Sequence, residues 1–260
     1  MLIPRRQLSD WNPDQGRPAP VASHARSGSG TIIVLDPQQH SGIDSRLDLN
    51  TLEHRIVEAL QSLPATRHDR YALAKRAFDI TAAGVGLMLL APFMAIIALL
   101  IRLESPGPSF FVCQRVGRDG RTFTMIKFRS MFQGAENLLA FAANKQPGDC
   151  RVTRVGRLLR RTSLDEVPQL INVLRGEMSL VGPRPELPEI VARYYEPWQY
   201  PRFSVPQGMT GWWQVTGRGA KLMRDHTADD LYYIEHASFW FDLKILALTL
   251  RAVLRMDGAF

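Results

Sequence analysis

Cysteine is nearly absent: 260 residues include only Cys113 and Cys150, and neither lies in a CxxC pair or in a His spacing that would build a zinc site. A disulfide framework is excluded, and both thiols are read as reduced, in a cytosolic setting. A secretory leader is lacking too, because MLIPRRQLSDWNPDQ carries arginines with no apolar h-region behind them. Negative charge is in deficit. Against 32 Lys and Arg stand 25 acids, leaving a net +7 and a pI of about 9.8. Such a balance points to anionic partners, whether nucleic acid, anionic lipid or a phosphorylated substrate, without choosing among them. No internal repeat is found, and the length suits one sizeable domain with an extension.

Residues 1–48 mix Pro, Gly, Ser, Gln and Arg around one short apolar run, Thr31 to Leu35, and are expected to be mostly disordered. Leu52, Ile56, Val57, Leu60 and Leu63 then recur at helical spacing, which predicts an amphipathic docking helix ending before Pro64. Ile80 to Ile101 is an uncharged run long enough to reach across roughly 30 Å of hydrocarbon. Pro92 near its middle removes a backbone donor and kinks a helix. Arg67, Arg70, Lys75 and Arg76 precede this run, and Arg102, Arg115, Arg118, Arg121, Lys127 and Arg129 follow it. The positive-inside bias puts both flanks in the cytoplasm, as a segment re-entering at Pro92 would, although basic residues in a folded domain count weakly in that rule. From the residues alone, re-entrant and kinked spanning helices both stand. Arg121 to Met131 alternates like a strand with Lys127 and Arg129 on one face, Leu164 to Leu174 reads as helix, and a last apolar helix runs from about Phe241 to Arg255. That helix suits either the membrane interface or the domain core.

The stretch RRTSLDEVPQL carries the sharpest question. Ser163-Leu-Asp-Glu166 fits a capping box, so both acids have a structural explanation. Pro168 weakens it, because proline is comfortable only in a first helical turn, and the helix is expected to begin near Asp165. An ionised Asp at a helix N-terminus, beside a bound phosphate, can serve as a Mg²⁺ ligand or as a nucleophile toward phosphorus. Gly182-Pro-Arg-Pro185 holds Arg184 on an extended, stiff backbone, a good mount for a guanidinium that forks onto phosphate oxygens, or an ordinary turn with a solvated Arg. Lys127 and Arg129 admit the same phosphate reading, with a solvated strand face as the plainer one for at least one of them. Gly211-Trp-Trp-Gln-Val-Thr-Gly-Arg218 suits an interface, a stacked base or the core. Asp229, Asp230 and Asp242 are acids able to orient arginines or bind metal.

Taken in order, KRAFDI from Lys75, LESPGPSFF, QRVGRDGRTFTMIKFRSM, RVTRVGRLLRRTSLDEVPQLINVLRGEMSLVGPRPE, GMTGWWQVTGR and DLYYIEHASFWFDLKIL resemble the bacterial sugar transferase family, small monotopic polyprenyl-phosphate phosphoglycosyl transferases. The resemblance covers about Ala74 to the C-terminus. It implies an α/β, mostly α, architecture: a re-entrant membrane helix over 80–101 broken at Pro92, plus interfacial helices, carrying a compact cytoplasmic catalytic domain over 71–260, with 1–70 as an extension. Ala91 stands where members often carry Ser before the proline. The resemblance further implies Asp165 as nucleophile and Glu166 as its partner, both near Mg²⁺, with Arg160, Arg184, Lys127 and Arg218 around the phosphates or nucleotide. The implied reaction moves a sugar 1-phosphate from a nucleoside diphosphate sugar, UDP-hexose by expectation, to undecaprenyl phosphate. It runs through a sugar-phosphoryl aspartate, releases UMP and starts lipid-linked glycan assembly (exopolysaccharide, capsule or O-antigen) at the cytoplasmic face of the bacterial inner membrane. No nucleic-acid partner is implied, and a homo-oligomer is compatible. Two other readings remain: a membrane-tethered scaffold binding nucleic acid, which has no need of paired acids between arginines, and a direct transferase using Asp165 only as a metal ligand.

Overall fold

In a computed structural model that describes residues 49–61, 69–135, 149–216 and 227–255, the expected amphipathic helix forms as α1, Leu49–Gln61. The apolar run lies in the longest element, α2, Asp69–Glu104. Pro92 lies inside α2 and does not end it: the residue forfeits the bond to the carbonyl of Met88, yet helix continues on both sides. By length and composition α2 can cross a membrane. One side of it, including Leu73, Met88, Leu89, Phe93, Ile96, Leu99 and Leu103, is exposed.

The other side is covered along both halves. Ala83, Leu87 and Leu90 pack against Phe123, Met125, Leu170 and Val173, and Met94, Ile97, Ala98 and Ile101 pack against Phe128, Leu159 and Leu164. Its polar ends are fastened to the same body. Near the N-terminus Lys75 Nζ meets Asp242 Oδ2 at 2.7 Å, and Arg76 donates to the carbonyls of Val173 and Leu174 at 2.6 and 2.8 Å. At the other end Glu104 accepts from the backbone N–H groups of Arg154 and Val155 at 2.6 and 3.0 Å, an anion on a helix N-terminus.

The expected strand is β2, Thr122–Phe128, paired antiparallel with β1, Phe110–Val116. Their turn presses on α1: Gly120 has φ +79, and a Cβ there would meet Ile56 Cβ at 3.1 Å and Glu53 Cα at 3.2 Å, so only glycine fits. Leu52 and Ile56 of α1 bury against Val116, Val191, Tyr195, Tyr200 and Phe203. Arg129 corrects the expectation of a solvated or phosphate-facing partner for Lys127. It is buried and donates to the carbonyls of Ser105 and Pro106 at 2.7 Å each, capping the C-terminal end of α2.

Next come α3, Arg154–Thr162; a 3-10 turn, Leu164–Glu166; α4, Gln169–Arg175; and β3, Ser179–Val181. After these run α5, Pro188–Tyr194, a 3-10 stretch Pro197–Ser204, β4, Gly208–Thr210, and α6, Trp212–Thr216. Strands β3 and β4 pair in parallel, Ser179 with Gly208 and Val181 with Thr210. The chain closes with α7, Thr227–Glu235, and α8, Phe239–Arg255. Helix α8 meets the core expectation through Asp242 and Ile245, which are buried, while Trp240, Leu250 and Leu254 on its other side are exposed. The whole is mostly helical, with two small two-stranded sheets among the described residues.

Candidate active site

Asp165 and Glu166 sit on the 3-10 turn between α3 and α4, and the capping-box explanation of them fails on geometry. Ser163 is left-handed, φ +57, because it already ends α3, donating its N–H to the Arg160 carbonyl, and its side chain caps nothing. The expected helix start near Asp165 also moves: α4 begins at Gln169, after Pro168, so the acids precede the helix. With no cap to complete, Glu166 turns to two cations. Lys127 Nζ donates to its Oε1 at 2.8 Å and Arg184 Nη2 donates to the same oxygen at 2.6 Å, with Nη1 at 3.5 Å from Oε2.

Lys127 projects from β2, whose backbone is held by Asn172 of α4. That fully buried side chain accepts from Ile126 N at 3.1 Å and donates to the Thr124 carbonyl at 2.7 Å. Sequence reasoning missed Asn172; an amide inside an otherwise apolar helical face, LINVL, was the available signal. Arg160 comes from α3 and donates through Nε to Ser130 Oγ at 2.9 Å. Close approach of α3 to that segment depends on Gly156, where a Cβ would lie 2.0 Å from the Ser130 carbonyl oxygen. The structure thus brings Lys127, Arg160, Asp165, Glu166 and Arg184 together. Arg218 lies outside the described residues.

The two neighbouring acids are treated oppositely. Glu166 is held well below the usual carboxylate range by Arg184 and Lys127, whose charge outweighs its burial. Among the described residues none donates a hydrogen bond to the Asp165 side chain, and its carboxyl is pushed up to about 6, first by burial and then by the charge of Glu166. Lys127, Arg160 and Arg184 pull it back, in that order. Three cations against two carboxylates leave the site net positive, suited to a diphosphate. Among the described residues no three or more His, Cys, Asp or Glu gather as a metal cage. Asp165 with the neighbouring Glu166 nonetheless fits Mg²⁺, which binds through one or two carboxylates and completes its shell with substrate phosphates and water.

The family described as "Bacterial sugar transferase" matches residues 70–256. Over 194 residues the chain is 44% identical to a UDP-N-acetylgalactosamine-undecaprenyl-phosphate N-acetylgalactosaminephosphotransferase of Aeromonas hydrophila, covering 73% of this chain and 45% of that protein. An undecaprenyl-phosphate glucose phosphotransferase of Komagataeibacter xylinus is 44% identical over 77% of this chain and 39% of its own length. A UDP-glucose:undecaprenyl-phosphate glucose-1-phosphate transferase of Caulobacter vibrioides is 43% identical over 72% of each. The chain therefore spans less than half of the first two relatives and most of the third.

Proposed function

This chain belongs to the bacterial sugar transferase family, and on that premise we propose that it transfers a sugar 1-phosphate from a UDP-sugar to undecaprenyl phosphate, starting lipid-linked glycan synthesis. One observation carries the assignment of roles: Lys127 and Arg184 both donate to Oε1 of Glu166, while among the described residues none donates to Asp165 beside it, which is the more basic of the two. A carboxylate that accepts no hydrogen bond from the described residues, is anionic above about pH 6 and is set among Lys127, Arg160 and Arg184 is the nucleophile. A carboxylate Oδ of Asp165 attacks the donor β-phosphorus; the bond from that phosphorus to the bridging oxygen breaks, and UMP leaves with the oxygen. The acyl phosphate then gives its sugar-phosphoryl group to an oxygen of the lipid phosphate, and the aspartate is restored. Glu166 stays anionic and keeps Lys127 and Arg184 aimed at the phosphates. Mg²⁺, when bound through Asp165 and Glu166, neutralises diphosphate charge. The relatives are named for different sugars, so the hexose is a property of each member.

We place the protein in the bacterial inner membrane with its catalytic domain on the cytoplasmic face and α2 entering and leaving by that leaflet. Support comes from the fastening of both α2 ends to one body through Lys75, Arg76 and Glu104, polar ties that do not persist across hydrocarbon. The decisive test supplies UDP-sugar labelled in the sugar without lipid acceptor. Wild type forms a protein-bound sugar phosphate mapping to Asp165 and releases UMP. Normal turnover with no trappable adduct, and UMP only after lipid phosphate is added, overturns the covalent route in favour of direct transfer.

A further inference from the structure

Among the described residues Arg202 carries the largest fully buried side chain, and nothing in the proposed chemistry uses it. Its Nη2 lies 2.7 Å from Asp230 Oδ2, Nη1 donates to the Tyr195 hydroxyl, and the guanidinium sits over the rings of Tyr195 and Phe203 at 5.6 and 5.5 Å. A charge removed this completely from water is costly to fold, even when paired. One further contact gives it a use: Nη2 donates to the backbone carbonyl of Arg184 at 2.8 Å.

The loop that carries Arg184 is short of backbone donors. Pro183 and Pro185 have no N–H, so the loop cannot extend the β3–β4 pairing through them. The pairing fixes it up to Pro183, through Gly182 N to the Thr210 carbonyl at 2.9 Å and Gly208 N to the Pro183 carbonyl at 2.7 Å. One residue on, the support is a side chain, Arg202. On the far side of the same residue, the Arg184 guanidinium meets Glu166.

We propose that Arg202, braced by Asp230 and Tyr195, is a positioning residue that holds the Arg184 backbone and thereby aims the Arg184 guanidinium at Glu166 and at the donor phosphates. The phosphate part rests on the function proposed above; the Glu166 part does not. The brace reaches far along the chain, since Asp230 belongs to α7 and Tyr195 and Phe203 share their core with Leu52 and Ile56 of α1.

The test is a double-mutant cycle between Arg202 and Arg184 in the full chain, using Arg202→Lys, Arg184→Lys and the pair. Lysine keeps the charge beside Asp230, but its three donors sit on one nitrogen and cannot span Tyr195 and the Arg184 carbonyl as the two arms of the guanidinium do. Turnover of UDP-sugar with undecaprenyl phosphate is read first. Arg202→Lys raises the donor KM and lowers kcat together by about tenfold or more, leaves the acceptor KM unchanged, and adds little once Arg184 is already Lys. Losses that multiply instead show that Arg202 acts on the fold at large and overturn the proposal. Thermal midpoints of the same four proteins provide a reading free of activity. If wild type turns over no UDP-sugar, the proposed function falls, and the midpoints still decide: sub-additive shifts support the brace and additive shifts reject it. Should Arg202→Lys fold poorly, Arg202→Met with Asp230→Leu removes both buried charges at once and enters the cycle in its place.

Discussion

Replacing Asp165 by Asn should abolish turnover while making the protein more stable, and the gain has a defined pH dependence. In the folded chain this carboxyl is raised from 3.8 to about 6 by burial and by Glu166. A carboxyl raised on folding binds its proton more tightly in the native state, so stability falls as pH rises from about 4 to about 6, and the full penalty is present above 6. About two units at 1.36 kcal/mol each set a ceiling near 3 kcal/mol. The Asn amide is itself partly desolvated, so the expected gain is about 1–3 kcal/mol. For a body of this size that is a rise in unfolding midpoint of a few degrees, up to about 10 °C. The assay is thermal unfolding of detergent-solubilised wild type and variant at pH 8, 6 and 4. The variant should lead at pH 8, less so at 6, and not at all by 4. A difference that is flat across this range, or a variant that is less stable at pH 8, would refute the claim that the fold holds Asp165 as a strained anion ready for attack.

Glu166→Gln should lower kcat and move the acid limb of the pH–rate profile below about 6, because removing its charge eliminates a repulsion on Asp165 and frees Lys127 and Arg184 to stabilise that anion; an unmoved limb counts against the coupling. With Cys113 and Cys150 replaced, cysteines introduced as Ala72→Cys and Pro106→Cys should react with impermeant reagent from the same side of sealed vesicles, and opposite-side labelling would exclude the re-entrant arrangement of α2. Ile56→Ala should cost about 2–4 kcal/mol in denaturant unfolding, since Ile56 is fully buried against the hairpin turn and Tyr200; a loss under about 1 kcal/mol would mean that α1 is dispensable to the core.

Much of this protein could be read from local pattern. The apolar spacing of Leu52 and Ile56, the uncharged run around Pro92 and the alternation at Phe123 and Met125 are one-dimensional signals of helix, membrane-length helix and strand, and each element forms over those residues, the strand ending at Phe128. The pairing of Asp165 with Glu166 beside a proline, and the stiff mount of Arg184, were equally visible, because residue type and backbone restriction are local properties. Which acid is free was not local. It depends on Lys127 from β2 and Arg184 from the loop after β3 converging on one oxygen of Glu166, 39 and 18 residues away in the chain. The same holds for Arg129, whose place in the strand pattern offered a phosphate contact or a solvated face but whose guanidinium finds the bare carbonyls at the end of α2. A sequence names charges and their periodicity; burial and the order of their pairing are set only when distant segments close around them, since desolvation and Coulomb attraction depend on distance in space.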